Sequence, residues 1–76
     1  MKEVGIIIEP VELYKILKFE GMVSSGGEAK LVIEQGQVFV NGEIETRKRK
    51  KIVSGDIIEF ASEKMKVKYI GKNDDQ

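Results

Sequence analysis

The sequence predicts an α+β domain in which two helices pack on a small, mainly antiparallel sheet. Three observations lead there. Two stretches carry apolar residues at i, i+3, i+4 spacing and each is closed by a glycine, the pattern of amphipathic helices. A β-branched stretch precedes them. After them, short β-branched or alternating stretches are separated by Asn-Gly and Ser-Gly-Asp punctuation.

Taken in order, Val4 to Ile8 is β-branched apart from Gly5 and reads as a strand, which Glu9-Pro10 stops. Pro10 cannot donate to a ladder but suits the first turn of a helix. Leu13, Ile16 and Leu17 then form the apolar stripe of a helix of about ten residues, with Glu12, Lys15 and Lys18 off the stripe and Gly21 as its stop. Ser25 and Glu28 form an S-x-x-E capping box, in which each side chain is expected to satisfy the other residue's free backbone N–H. Ala29, Val32 and Ile33 are the stripe of the second helix, and Gly36 ends it. Val38-Phe39-Val40, Asn41-Gly42 and Glu43-Ile44-Glu45 read as a strand, a type I′ turn and a strand, because Asn-Gly readily takes positive φ at both central positions. Ile52-Val53 and Ile57 to Phe60 are extended segments around the turn Ser54-Gly55-Asp56. Met65, Val67 and Tyr69 alternate with Lys66 and Lys68, as expected of a half-buried strand with its lysines in water. The domain is expected to span residues 1–72, with a disordered polar tail at 73–76.

The 76 residues make one small domain, which buries about 60% of the surface its unfolded chain exposes. With no cysteine, neither disulfides nor thiolate metal sites can support it, so packing alone must hold the core. No apolar run approaches the length of a membrane span. Met1 leads into Lys2 and Glu3 without the apolar stretch and cleavage site of a signal peptide, so the expected location is the cytoplasm. A monomer without metal or cofactor is the default expectation. Catalysis is not expected either: with no histidine and no cysteine, the commonest general base and the best nucleophile are missing. The carboxylates are scattered, and Gly26-Gly27 lack the G-K-[ST] of a phosphate-binding NTPase loop.

Charge is the informative feature. The chain is formally neutral, yet residues 1–46 carry a balance of −4, residues 47–72 one of +6, and the last four residues −2. An approaching polyanion meets the local field rather than the total. The run Arg47-Lys48-Arg49-Lys50-Lys51 supplies five cations in one connection between strands. About four phosphate contacts there would make log affinity fall by roughly three to four units per decade of salt. The bland alternative is a solvated loop that keeps a sheet edge soluble, but one or two lysines suffice for that. A second candidate is Ser24-Ser25-Gly26-Gly27, where a helix N-terminus and two glycines let a phosphate approach free N–H groups. It gains weight if Lys30 points to the same groove. Phe39 could stack an unpaired base, although packing under the second helix is the preferred reading. Tyr14, Phe19, Phe60 and Tyr69 are assigned to the core.

From Val11 to Phe60 the chain resembles the S4-type RNA-binding domain, named after a small-subunit ribosomal protein. The resemblance rests on Ser25, Ala29-Lys30, the I-x-x-G-x-V-x-V-N-G stretch from Ile33 to Gly42, and Gly55-Asp56 with Ile58. The E-G-x-x-x-S-G-x-x-A-K and E-T-R-K-R-x-K-I-V stretches are closer still to short stand-alone bacterial proteins of the YbcJ/YaaA kind. This implies an S4-like αL motif over residues 11–60. It also implies structured RNA as the ligand, ribosomal, transfer or ribosome-associated, bound without catalysis and read through shape and phosphates. The RNA-facing set is then Lys15, Lys18, Ser25, Gly26, Gly27 and Lys30 on the helices, with Arg47, Lys48, Arg49, Lys50 and Lys51 in the loop. Two departures stand out. Many members carry arginine where this chain has Glu12 and Gly26, so those contacts do not carry over, and the basic run is expected to compensate. The competing reading is a protein-interaction domain whose basic loop meets an acidic partner.

Overall fold

Nine short elements make up the computed structural model, which describes residues 1–71. They are β1 (Lys2–Ile6), β2 (Val11–Glu12), α1 (Leu13–Phe19), α2 (Gly26–Glu34), β3 (Val38–Val40), β4 (Glu43–Ile44), β5 (Lys51–Ile52), β6 (Ile57–Phe60) and β7 (Glu63–Tyr69). The end of the domain at residue 72 and the tail at 73–76 lie outside the described residues. Five strands form one sheet in the order β1-β7-β6-β3-β4, in which only β1 and β7 run parallel. The expected two helices on a mainly antiparallel sheet are what is found.

Period-two alternation aims Val4, Ile6, Val38, Val40, Ile58, Met65 and Val67 at the helices. There they meet the buried stripes Leu13, Ile16, Leu17 and Ala29, Val32, Ile33 in one core. Both helices end as the glycines require. Gly21 (φ 71°) and Gly36 (φ 77°) are left-handed, and the N–H groups around them return to carbonyls of the last helical turn. Gly21 donates to Lys18 and Met22 to Leu17; Gly36 donates to Ile33 and Gln37 to Val32. These are Schellman closures. Asn41 (φ 53°) and Gly42 (φ 86°) turn the β3–β4 hairpin as expected.

Several elements differ from expectation. The first strand runs from Lys2 to Ile6 rather than from Val4 to Ile8, because its parallel partner β7 pairs from Met65 to Tyr69, and Ile7 and Ile8 project into solvent beyond it. The first helix starts at Leu13, not at Pro10, and has seven residues. Val11 and Glu12 are instead extended and pair antiparallel with Ile52 and Lys51 in a separate two-stranded sheet. Tyr69 is 43% exposed and Phe19 68% exposed, so neither joins the core, whereas Tyr14 and Phe60 pack against it. Phe39 is half-buried on the sheet face away from α2, since its neighbours Val38 and Val40 take the inner face.

The β6–β7 hairpin turns through Ala61 (φ 54°) and Ser62 (φ 69°), neither of them a glycine. A side chain in the left-handed region costs roughly 1–2 kcal/mol per residue. Ala61→Asn with Ser62→Gly, which repeats the chemistry of Asn41-Gly42, is expected to stabilise the fold by about 1 kcal/mol. In urea this should raise the unfolding midpoint by about 1 M, given a slope near 1 kcal/mol/M for so small a domain. An unmoved midpoint would mean that the turn is not strained.

Candidate nucleic-acid interface

A helix leaves its first N–H groups without partners inside the helix. In α1 two of these are taken by the basic loop: Leu13 N–H donates to the Lys50 carbonyl (2.9 Å) and Tyr14 N–H to the Lys48 carbonyl (3.1 Å). Within the loop, Lys50 N–H closes a turn onto the Arg47 carbonyl (3.1 Å). The loop then enters β5, whose Ile52 is fully buried and pairs with Val11. Residues 47–51 are therefore held by their backbone to the start of α1.

The cations are not all free. Arg47 donates to both oxygens of Glu45 (2.8 and 3.2 Å), Lys48 pairs with Glu34 at the end of α2, and Arg49 lies 3.7 Å from Glu12. Glu45 is a sequence neighbour of Arg47, whereas Glu34 and Glu12 come from α2 and β2, which only the fold brings close; together they relieve the mutual repulsion of the run. The Arg47 guanidinium holds the Glu45 carboxyl below the usual carboxylate range, and Glu45 in turn raises Arg47. The Arg47 and Arg49 side chains remain largely exposed and that of Lys48 partly so, and the single-contact pairs of Lys48 and Arg49 are readily exchanged for another anion. Lys50 and Lys51 have no ion-pair partner among the described residues. Arg47, Arg49, Lys50 and Lys51 line one shallow depression.

The second half of the interface gathers on Tyr14. Lys30 of α2 places its ammonium 4.7 Å from the centre of the Tyr14 ring, and Lys15 lies 6.0 Å away. A Cβ on Gly26 would stand 3.9 Å from the same ring and 3.9 Å from the Lys18 chain. Lys18, Gly26 and Lys30 thus share one patch, which is joined to the loop through the Tyr14 N–H. Arg47 and Lys50 also border a second depression, toward the β3–β4 hairpin with Asn41 and Glu43.

The start of α2 is more occupied than the sequence suggests. Ser25 Oγ accepts from Glu28 N–H (3.1 Å), as the capping box requires. The Glu28 carboxylate, however, reaches past Ser25 to accept from the N–H (2.8 Å) and hydroxyl (2.6 Å) of Ser24. Those bonds lower its pKa. The helix therefore carries its own anion beside Ser25, while Gly27 stays open, with only Ser25 Oγ near a Cβ placed there.

Tyr14 and the pairing carboxylates are the residues that sequence reasoning missed. Two signals were available: Tyr14 and Lys18 are spaced i, i+4, and Glu12 and Lys15 i, i+3, so each pair shares a helix face. Nothing local marks Glu34, which is fourteen residues from Lys48. Among the described residues, no group of three or more metal-ligating side chains is assembled, and no helix is long and apolar enough to cross a membrane.

The S4 domain family matches residues 4–68. YbcJ of Escherichia coli (strain K12) is 51% identical over 57 residues, which cover 75% of this chain and 81% of YbcJ. RlbA of Bacillus subtilis (strain 168), whose name is "Probable ribosome maturation protein RlbA", is 34% identical over 57 residues, 75% of this chain and 80% of its own. The solution structure of E. coli YbcJ, described as revealing an αL motif involved in RNA-binding, aligns with a TM-score of 0.69 at 45% identity. That alignment covers 90% of this chain and 87% of the other.

Proposed function

The chain belongs to the S4 domain family, and from that premise we propose that it is a non-catalytic RNA-binding module of the cytoplasm, which recognises structured RNA through phosphate and shape contacts. The observation that carries the reading is the attachment of the basic loop to α1 by the Leu13 and Tyr14 N–H groups. This attachment makes a rigid cationic edge of residues that would otherwise be a flexible charged loop. A preorganised edge does not have to be ordered on binding, and that entropy is retained as affinity. Lys18, Lys30 and the Gly26 backbone, gathered on Tyr14, extend the edge toward the start of α2.

The assigned roles follow from exposure and partners. Lys50 and Lys51 contact phosphates directly. Arg47, Lys48 and Arg49 exchange a carboxylate for a phosphate when RNA arrives. Lys15, Lys18 and Lys30 hold the adjoining strand, and Ser25, Gly26 and Gly27 let its backbone come close to α2. The recognised RNA is ribosomal or ribosome-associated, in keeping with the name that RlbA carries.

A gel-shift comparison of structured RNA, single-stranded RNA and duplex DNA tests the proposal. Structured RNA is expected to bind best, with log affinity falling about three to four units per decade of salt, as about four phosphate contacts require. The absence of binding to any polyanion at low salt would refute it and point to an acidic protein partner.

A further inference from the structure

Beside the cationic depression lies a groove of different character, and Lys51 lines both. Its walls are Ile8, Pro10 and Phe19, and its rim carries Lys51, Lys15 and Glu12. Ile8 is 65% exposed and Phe19 68% exposed. Neither is needed by the core, which the Leu13, Ile16, Leu17 stripe of α1 already fills. The geometry points to a binding site for one unpaired nucleotide of the bound RNA, its base stacked on the Phe19 ring and its phosphate held by Lys51 and Lys15. This inference rests on the RNA-binding reading.

Three features favour a nucleotide over another occupant. An exposed aromatic ring offers a face to any base, and such stacking is worth about tenfold in affinity or more per base. The rim has two lysines against one carboxylate, and Glu12 is already shared between Lys15 (3.6 Å) and Arg49 (3.7 Å). The rim therefore attracts a phosphate. Finally, a strand running along Lys50 and Lys51 reaches the groove without leaving the protein surface, because Lys51 borders both depressions. Structured RNA presents unstacked bases at bulges and loops for this kind of capture.

The test uses two RNA duplexes of the same sequence, one fully paired and one with a single bulged 2-aminopurine. The wild-type chain is expected to bind the bulged duplex about tenfold more tightly and to quench its fluorescence. Phe19→Ala should remove both the preference and the quenching while leaving affinity for the paired duplex unchanged. Phe19→Trp should keep them. Because the Phe19 side chain is exposed, the alanine variant is expected to fold, which circular dichroism checks. Equal binding of the two duplexes by the wild type, or a preference that survives Phe19→Ala, would overturn the groove assignment alone. A wild type that binds neither duplex would overturn the RNA-binding reading with it. Self-association at micromolar concentration that disappears with Phe19→Ala would assign the groove to a second copy of the chain instead.

Discussion

With Lys50 and Lys51 both replaced by glutamine, affinity for structured RNA is expected to fall about thirtyfold near 0.1 M salt. Each phosphate contact contributes roughly 0.7–0.9 to the slope of log affinity against log salt. Losing two contacts should therefore remove roughly 1.5 units of slope and, at 0.1 M, a similar number of decades in affinity. The fold should survive, because what fastens the loop is backbone. The Lys50 carbonyl still receives the Leu13 N–H, and residue 51 still pairs with Glu12 in the small sheet. Filter binding at several salt concentrations, alongside urea unfolding, gives both readouts. An unchanged slope with unchanged stability would show that the RNA lies elsewhere. Replacing all five residues from Arg47 to Lys51 extends the same test and is expected to flatten the slope further.

Glu12→Arg should act in the opposite direction, tightening RNA binding about thirtyfold at the same salt. In the wild type the Glu12 carboxylate holds Lys15 at 3.6 Å and Arg49 at 3.7 Å, so one anion restrains two cations at the junction of loop and helix. The substitution adds one phosphate contact, steepening the slope by roughly 0.7–0.9, and removes the carboxylate that competes with phosphate for Lys15 and Arg49, which supplies the rest of the gain. Glu12 precedes α1 but makes no side-chain capping bond, so no cap is lost. A cation near a helix N-terminus is unfavourable by about 0.3–1 kcal/mol, small beside the stability of the domain. A gain of function cannot be imitated by unfolding, which makes this variant the complement of the lysine pair. If it binds no better than the wild type, the face of α1 beside the loop does not meet RNA. The outcome also speaks to the family resemblance, since many members have arginine at this position.

Much of the fold was legible because its signals are local. The stripe Ala29, Val32, Ile33, the serine cap and the glycine stop all act within about one helical turn, and α2 follows from them. Asn41-Gly42 specifies its hairpin in two residues. Reading failed where a partner distant in sequence decided the matter. Val11-Glu12 would suit the first turn of a helix, but pairing with Lys51-Ile52 draws them out of it. Phe19 and Tyr69 carry as much apolar surface as the residues that are buried. Only the position of the neighbouring elements leaves them outside. Ala61-Ser62 has no turn signature, and its conformation is imposed by the antiparallel register of β6 and β7.

The candidate interface divides in the same way. That residues 47–51 would present a concentrated positive charge followed from five adjacent side chains, whatever the fold. The tertiary structure decided which of those charges are already partnered, and by which carboxylates. It also decided that the loop is fastened to the start of α1, and that Lys30 and Gly26 meet it around Tyr14. The physical reason is range. Periodicity, caps and turns depend on atoms a few residues apart and are written along the chain. Ion pairs such as Glu34 with Lys48 depend on the packing that brings distant segments within a few ångströms of each other.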